Sequence, residues 1–404
     1  MNKPMAGIYL DNNATTRVDP DVLAEMLPLF TEHFGNPSSM HGFGAAVGGK
    51  IEWARQQVQA LLGAGHDSEV VFTSGGTESD NTAILSAIEA YPKKTEIVTS
   101  VVEHPAILAL CDHLEKKRGY TIHRIGVDGR GDLDMDAYRA ALSQNVAIVS
   151  IMWANNETGT IFPIEELARL AKAVGAVFHT DAVQAVGKIP MKLADSAVDM
   201  LSLSGHKLHA PKGIGALYVK RGLRFRPMLR GGHQERSRRA GTENAPGIVG
   251  LGAAAQLALV HMQDENTRVK ALRDRLEQAI LAAVPNCFVT GNPDHRLPNT
   301  CNVAFEFIEG EAILLLLNEH GIAASSGSAC TSGSLEPSHV MRAMGVPYTA
   351  AHGATRFSLS RETTEAEIDA VIAVVPGIIE RLRSLSPYWA GAGAAPKAFA
   401  PTYA

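Results

Sequence analysis

Cysteine is scarce in this chain: Cys111, Cys287, Cys301 and Cys330 are the only four among 404 residues. They are too few and too dispersed for a disulfide framework, and no CxxC pair offers structural zinc. Each thiol is therefore read singly, as buried filler or as a nucleophile. Long apolar runs are also lacking. The longest strongly apolar segment, Ala312 to Leu317, falls far short of the roughly 20 residues that cross a bilayer. Met1 to Leu10 carries a lysine but neither an apolar stretch nor a small-residue cleavage site. No secretory leader is expected, and the expected location is the cytoplasm. Neither sign of charge dominates. The formal net charge of -5 gives no electrostatic reason to expect nucleic acid or a membrane as partner. Arg236, Arg238 and Arg239 do cluster, but a solvated loop is the ordinary home of such a run.

What is present is ample material for a core. Apolar residues make up 46% of the chain and charged residues 20%, and the length exceeds the roughly 100 to 200 residues of one domain. Short β-rich runs lie at Val70-Val71-Phe72, Glu96 to Thr99, Ala147 to Ile151 and Ala176 to His179. Between them are segments with helical spacing; in Ile164 to Val174, for instance, Ile164, Leu167, Ala168 and Ala171 share one face. This alternation predicts an α/β domain with a mostly parallel sheet. Glycine and alanine crowd Gly247 to Ala258, and a charged amphipathic stretch follows from His261 to Ala283. Beyond it, a strand near Thr300 to Phe307 and helices near Glu311 to His320 and Thr364 to Leu385 predict a smaller α+β domain. The expected division is 16–260 for the large domain, with 1–15 and 261–404 forming the small one. Ser386 to Ala404, rich in Ala, Pro and Gly, is expected as an extended tail.

Ligands in such sheets bind beyond the carboxyl ends of the strands. Lys207, in Ser204-Gly205-His206-Lys207, follows Asp181, in His179-Thr180-Asp181, by 26 positions, each with an apolar strand before it. A buried lysine can condense with the aldehyde of pyridoxal 5′-phosphate, and an ionised aspartate can keep the ring nitrogen protonated. After Val70-Val71-Phe72 come Gly75, Gly76 and Thr77, leading into a helix whose first-turn N–H groups suit a phosphate. The same letters also spell an ordinary loop and cap. His104, before Pro105, is placed either to stack on a pyridine ring and move protons or to cap a turn. Asn155 and Asn156 are placed to reach a cofactor or a substrate carboxylate, or to make a turn. Cys330 lies in Ser325 to Ser334, a small, polar, glycine-rich stretch expected to be a mobile loop with an accessible thiol. Cys111, Cys287 and Cys301 sit in or beside apolar segments and read as core filler. Arg356 offers a guanidinium fork for an α-carboxylate, though a surface arginine is the commoner meaning of such a residue.

Taken together, several runs resemble a pyridoxal-phosphate cysteine desulfurase. They are Leu10 to Thr16, Phe34 to Ser39, Ser74 to Ser79, Glu103-His104, Asn155-Asn156-Glu157, Ser204 to Lys207, Arg239 to Thr242 and Ser325 to Gly333. The tail from Ser386-Pro387-Tyr388-Trp389 to Pro401 is more similar to the nitrogenase-serving NifS form than to the housekeeping IscS form. The resemblance implies a homodimer of aspartate-aminotransferase fold, pyridoxal-phosphate fold type I, that converts L-cysteine to L-alanine. It implies that Lys207 carries the cofactor, that Asp181 pairs with the ring nitrogen and that Gln184 and Asn156 address the phenolic oxygen. By the same resemblance His104 stacks on the ring, Gly76, Thr77, Ser204 and His206 hold the phosphate, and Thr242 reaches in from the other subunit. Asn156 and Arg356 bind substrate, and Cys330 takes the sulfur as a persulfide and passes it to an iron–sulfur scaffold or other acceptor protein. Transient cluster binding at Cys330 is a further expectation. Gly76 stands where relatives often have Ala. A related aminotransferase or selenocysteine lyase would share Lys207 and Asp181, and a non-catalytic scaffold is the reading from another class.

Overall fold

The computed structural model describes residues 7–326, 337–389 and 391. Its larger sheet has seven strands: β2 (Val70–Thr73), β3 (Glu96–Ser100), β4 (Thr121–Ile125), β5 (Val146–Ser150), β6 (Val177–Asp181), β7 (Met200–Ser204) and β8 (Gly215–Val219). Their order across the sheet is β2-β8-β7-β6-β5-β3-β4. β8 runs antiparallel to both its neighbours, and all other pairs are parallel. The near-continuous apolar character of these strands follows from burial on both faces. Alternate side chains go to opposite cores. Phe72, Val98, Val149, Phe178 and Leu201 enter one core, while Val71, Ile97, Ile148, Val177 and Met200 enter the other. The expected strands lie within one or two residues of these bounds, and the helix expected over Ile164 to Val174 spans Ile164–Ala173.

A smaller antiparallel sheet is built from β9 (Cys287–Val289), β10 (Thr300–Phe305), β12 (Ser325–Ser326) and β13 (Ala354–Ser358), ordered β12-β13-β10-β9. Its buried Cys301, Val303, Phe305 and Phe357 pack with Leu272, Leu276, Ile368 and Val371 from two helices, Lys270–Ala283 and Glu365–Leu385. The second of these helices starts on a capping box in which Thr364 and Glu367 satisfy each other's backbone N–H groups. Near the amino terminus, β1 (Ile8–Tyr9) pairs in parallel with β11 (Ile322–Ala323). Asn12 and Asn13 are then tied to Ser358 at 2.9 Å each, which delivers Asn13 to the space between the two sheets.

One sequence expectation needs correction. The apolar run Ala312 to Leu317 is not the most membrane-like part of the chain. The 39-residue helical run Ala245–Ala283 is long and apolar enough, by length and composition, to cross a bilayer. Its small residues masked that property, since alanine and glycine do not read as a strongly apolar run. In the fold it is a core helix: Ile248, Val249, Leu251 and Ala255 are buried against the larger sheet's core. Gly252 lets it approach the helix Gly42–Leu62 so closely that a Cβ there would lie 2.5 Å from the Ala54 Cα. At the other end of the chain, Trp389 packs on Phe307 with ring centroids 5.9 Å apart, beneath the Arg383 guanidinium. The expected tail beyond Trp389, apart from residue 391, lies outside the described residues.

Candidate active site

The carboxyl ends of β2, β3, β5, β6 and β7 converge on a cavity of about 280 Å³. Asn13, Gly76, Thr77, His104, Asn156, Asp181, Gln184, Ser204, His206, Lys207 and Arg356 all line it. Asp181 is the last residue of β6 and is 6% exposed. Its Oδ1 accepts the Val183 N–H at 2.9 Å, which fixes the carboxylate's direction. Lys207 ends the short 3₁₀ turn Gly205–Lys207 that follows β7. Its Nζ donates to the backbone oxygens of Asn13 and, at 2.6 Å, of Ala14. Gln184 Nε2 donates to the same Asn13 oxygen at 3.0 Å. The amino-terminal segment thus holds the amine and the amide side by side.

At one end of the cavity the helix Gly76–Ala90 begins at Gly75 with no side-chain cap on its first-turn N–H groups. A Cβ on Gly76 would sit 3.0 Å from Val183 Cγ2 and 3.7 Å from Ser204 Cβ, so glycine here widens the cradle beside Ser204. At the opposite end stands Arg356 on β13. It is 3% exposed, so the surface reading of this residue is overturned. Its Nη1 donates to Asn156 O and its Nη2 to Asp11 Oδ1, both at 2.8 Å, while Nε has no hydrogen-bond partner among the described residues.

Burial sets the protonation of the site. It pushes the Asp181 carboxyl up, against the nearby His104 and Lys207 charges that pull it down. It pulls the His104 imidazole down, helped by Lys207 and opposed by Asp181. His206 is brought to about 4, chiefly by burial and then by Lys207. Behind β6, burial and the adjacent Asp181 charge push Asp80 well above the usual carboxylate range. His179 bonds Ser150 and Ser202 at 2.9 Å on its two ring nitrogens. Burial brings its pKa down to about 3. Burial thus works against the charged forms of Asp80, His104, His179 and His206 around Asp181 and Lys207.

These residues fit pyridoxal 5′-phosphate. The uncapped helix start and Ser204 suit the phosphate, Asp181 suits a protonated ring nitrogen, and Lys207 suits the aldehyde. A substrate carboxylate suits Arg356, whose buried Nε lacks a partner among the described residues. Of the expected site residues, Thr242 is exposed on its loop and does not line the cavity of its own chain. Cys330 lies outside the described residues, as does most of its loop. Asn155 makes a turn: its Oδ1 accepts the Glu157 and Thr158 N–H groups. His104 caps the helix Pro105–Arg118 through Nδ1 and also lines the cavity. Cys111 and Cys301 are buried with thiols pushed up by burial, Cys111 to about 12. Asp80 was missed as a lining residue, although it falls one helical turn after Gly76 and Thr77, on the side they present.

The aminotransferase class-V family model matches residues 8–371. A cysteine desulfurase of Azospirillum brasilense is 77% identical over 98% of this chain and 99% of its own length. The cysteine desulfurase NifS of Azotobacter vinelandii is 67% identical over 99% of this chain and 100% of its own. Among solved structures, a NifS-like protein with 37% identity superposes with a TM-score of 0.87, covering 93% of this chain and 100% of the other. The chain belongs to the class-V aminotransferase family and, within it, to the cysteine desulfurases.

Proposed function

We propose that this chain takes sulfur from L-cysteine and releases L-alanine, with pyridoxal 5′-phosphate held between Asp181 and Lys207. The observation that carries this reading is the convergence of an amine, a carboxylate, an imidazole and a guanidinium on one cavity. Bound there, the cofactor supplies a sink for the charge that develops at the substrate Cα. The chain's residues do the rest. Arg356, held by Asn156 O and Asp11, offers its Nε to the α-carboxylate, with Asn156 beside it. Lys207 Nζ takes up the Cα proton, and His104, kept neutral by burial, moves protons over the ring face. Gly76, Thr77, Ser204 and His206 hold the phosphate, while Gln184 and Asn156 address the phenolic oxygen. The Cys330 thiolate then attacks the substrate sulfur. An S–S bond forms as the Cβ–S bond breaks, and the bonding pair stays with the carbon skeleton, which takes up a proton to become alanine. The thiol is oxidised to a persulfide as the carbon is reduced.

The same reading divides the chain into a large domain, 16–260, and a small one, 1–15 with 261–404, so that Cys330 and Arg356 approach the cofactor from the small domain. It makes the protein a cytoplasmic homodimer in which Thr242 completes the phosphate site of the other subunit. An apolar surface supports the dimer: Leu27, Phe30, Phe34 and Phe43 are exposed, and the Phe34 and Phe43 rings lie 5.7 Å apart. The sulfur acceptor is an iron–sulfur scaffold serving nitrogenase, with a cluster held only transiently at the Cys330 persulfide. The name of the Azotobacter vinelandii relative supports that role. Cys330→Ala tests the sulfur step. The variant is expected to keep its cofactor and bind L-cysteine, yet to release no sulfide in the presence of a reductant. Full desulfurase activity in Cys330→Ala would place the acceptor thiol elsewhere.

A further inference from the structure

A glutamine amide has a donating end and an accepting end, and its partners decide which way it points. For Gln184 they stand on either side. Nε2 donates to Asn13 O at 3.0 Å, and Oε1 accepts from Lys188 Nζ at 3.5 Å. Turned over, the amide would set its N–H groups against the Lys188 ammonium and its oxygen against the Asn13 oxygen, two repulsive contacts in place of two attractive ones. With one amide hydrogen spent on Asn13 O, the second is left for the cavity that Gln184 lines.

Local folding brings Lys188 to this place. After β6 the chain makes a tight turn in which the Ala185 and Val186 N–H groups donate to Ala182 O, each at 2.9 Å. Gly187 then takes a φ of 78°, a conformation open to glycine, and a Cβ on it would lie 2.4 Å from Leu208 Cδ2. Lys188 follows with its Nζ donating to Gln184 O at 3.1 Å. Asn266, in the π-helical turn Glu265–Val269, donates to Lys188 O at 2.8 Å and ties the backbone down. The lysine is 7% exposed. Burial pulls its amine down to about 8; the Glu265 charge opposes that shift and the Arg356 charge adds to it.

We propose that Lys188 is a positioning residue for the reaction: its ammonium fixes the Gln184 amide with Nε2 toward the cofactor's phenolic oxygen. The inference rests on the proposed contact between Gln184 and that oxygen. Lys188 is not among the residues that line the cavity, so it acts through the amide. An N–H donor at the phenolic oxygen favours its ionised form, and the visible absorption of the bound cofactor reports that form.

Two measurements on the holoenzyme test this. A neutron crystal structure of the wild type is expected to show the Gln184 Nε2 hydrogens on Asn13 O and on the phenolic oxygen, with Oε1 facing Lys188 Nζ. A reversed amide overturns the proposal, and this arm decides alone where a variant does not fold. In spectra and kinetics at about pH 7, where the amine is still charged, Lys188→Met is expected to shift the visible maximum in the same direction as Gln184→Ala. It is also expected to lower kcat/KM for L-cysteine roughly tenfold, the worth of one hydrogen bond to a charged group. Lys188→Arg should recover part of that loss. Adding Lys188→Met to Gln184→Ala should change neither quantity further, since the lysine acts through the amide. An unshifted maximum in Lys188→Met beside a shifted one in Gln184→Ala overturns the role of Lys188. A full further loss in the double variant does the same, because it marks an independent structural role. A maximum left in place by Gln184→Ala itself would instead sink the contact of Gln184 with the phenolic oxygen, and this proposal with it.

Discussion

Arg356 shows how burial converts an ordinary residue into a binding group. On a strand of the smaller sheet it would be unremarked, but it is 3% exposed, and two of its nitrogens are spent on Asn156 O and Asp11. The guanidinium is thereby held rigid, with Nε left for a ligand. Arg356→Lys keeps the charge but loses the fork. It is expected to raise KM for L-cysteine roughly 10- to 100-fold, the range of one or two charged hydrogen bonds. An unchanged KM in steady-state assays would mean that the carboxylate binds elsewhere. The chemical identities at this scale were legible in the sequence, because an amine and a carboxylate after successive strands have few other uses. Partners were not. Nothing in the letters says that Asn13 O receives both Lys207 and Gln184, since that contact joins positions more than 170 residues apart.

At the scale of elements, the segment that carries Arg239 and Thr242 is fastened from below. Glu235, Arg236 and Ser237 all have positive φ, a strained run for residues with side chains. Glu235 holds it down by accepting both Arg55 guanidinium nitrogens, at 2.7 and 2.8 Å, and the Phe72 N–H at 3.0 Å. Arg239 in turn donates to Glu78, beside the phosphate cradle, at 2.9 Å. Glu235→Ala would leave Arg55 buried and uncompensated, at a cost of about 3 to 5 kcal/mol. Urea unfolding of the purified variant checks this, and a loss below about 1 kcal/mol would show that water replaces the carboxylate. The Arg236–Arg239 cluster read as a solvated loop from sequence. Arg236 and Arg239 are partly that, but the acids that anchor the segment lie at Glu78 and Glu235, one of them distant in the chain. The strands were legible because burial on both faces leaves continuous apolar runs. The helix Ala245–Asp264 was less so, because its buried face is mostly glycine and alanine around Ile248, Val249 and Leu251.

At the scale of the whole molecule, buried acids and imidazoles oppose one another in setting the pH of greatest stability. Burial raises Glu103 to about 8 and Glu157 to about 7. Between their unfolded values near 4.5 and these folded values, the folded state binds more protons, so stability falls as pH rises. Burial lowers His179 to about 3 and His206 and His209 to about 4. Below their unfolded value near 6.5 the unfolded state binds more protons, and stability falls as pH drops. Above pH 6.5 the histidines contribute little, and the buried acids, Glu103 and Glu157 with Asp80 shifted the same way, set the trend. The apoprotein's thermal midpoint is expected to decline from about pH 6.5 to 8. Glu103→Gln, which keeps a neutral group accepting from Ser100 and Met152, is expected to flatten that decline. An equally steep decline in Glu103→Gln would show that the carboxyl is ionised in the folded state.

The central claim is that Lys207 carries the cofactor and moves the Cα proton, with Asp181 and Arg356 placed around it. The most direct measurement is the visible absorption of purified Lys207→Ala after incubation with pyridoxal 5′-phosphate, paired with alanine formation from L-cysteine. The account predicts a wild type with a visible absorption band and alanine production, and a variant lacking both. A variant that keeps the wild-type band and yields alanine at the wild-type rate would contradict it.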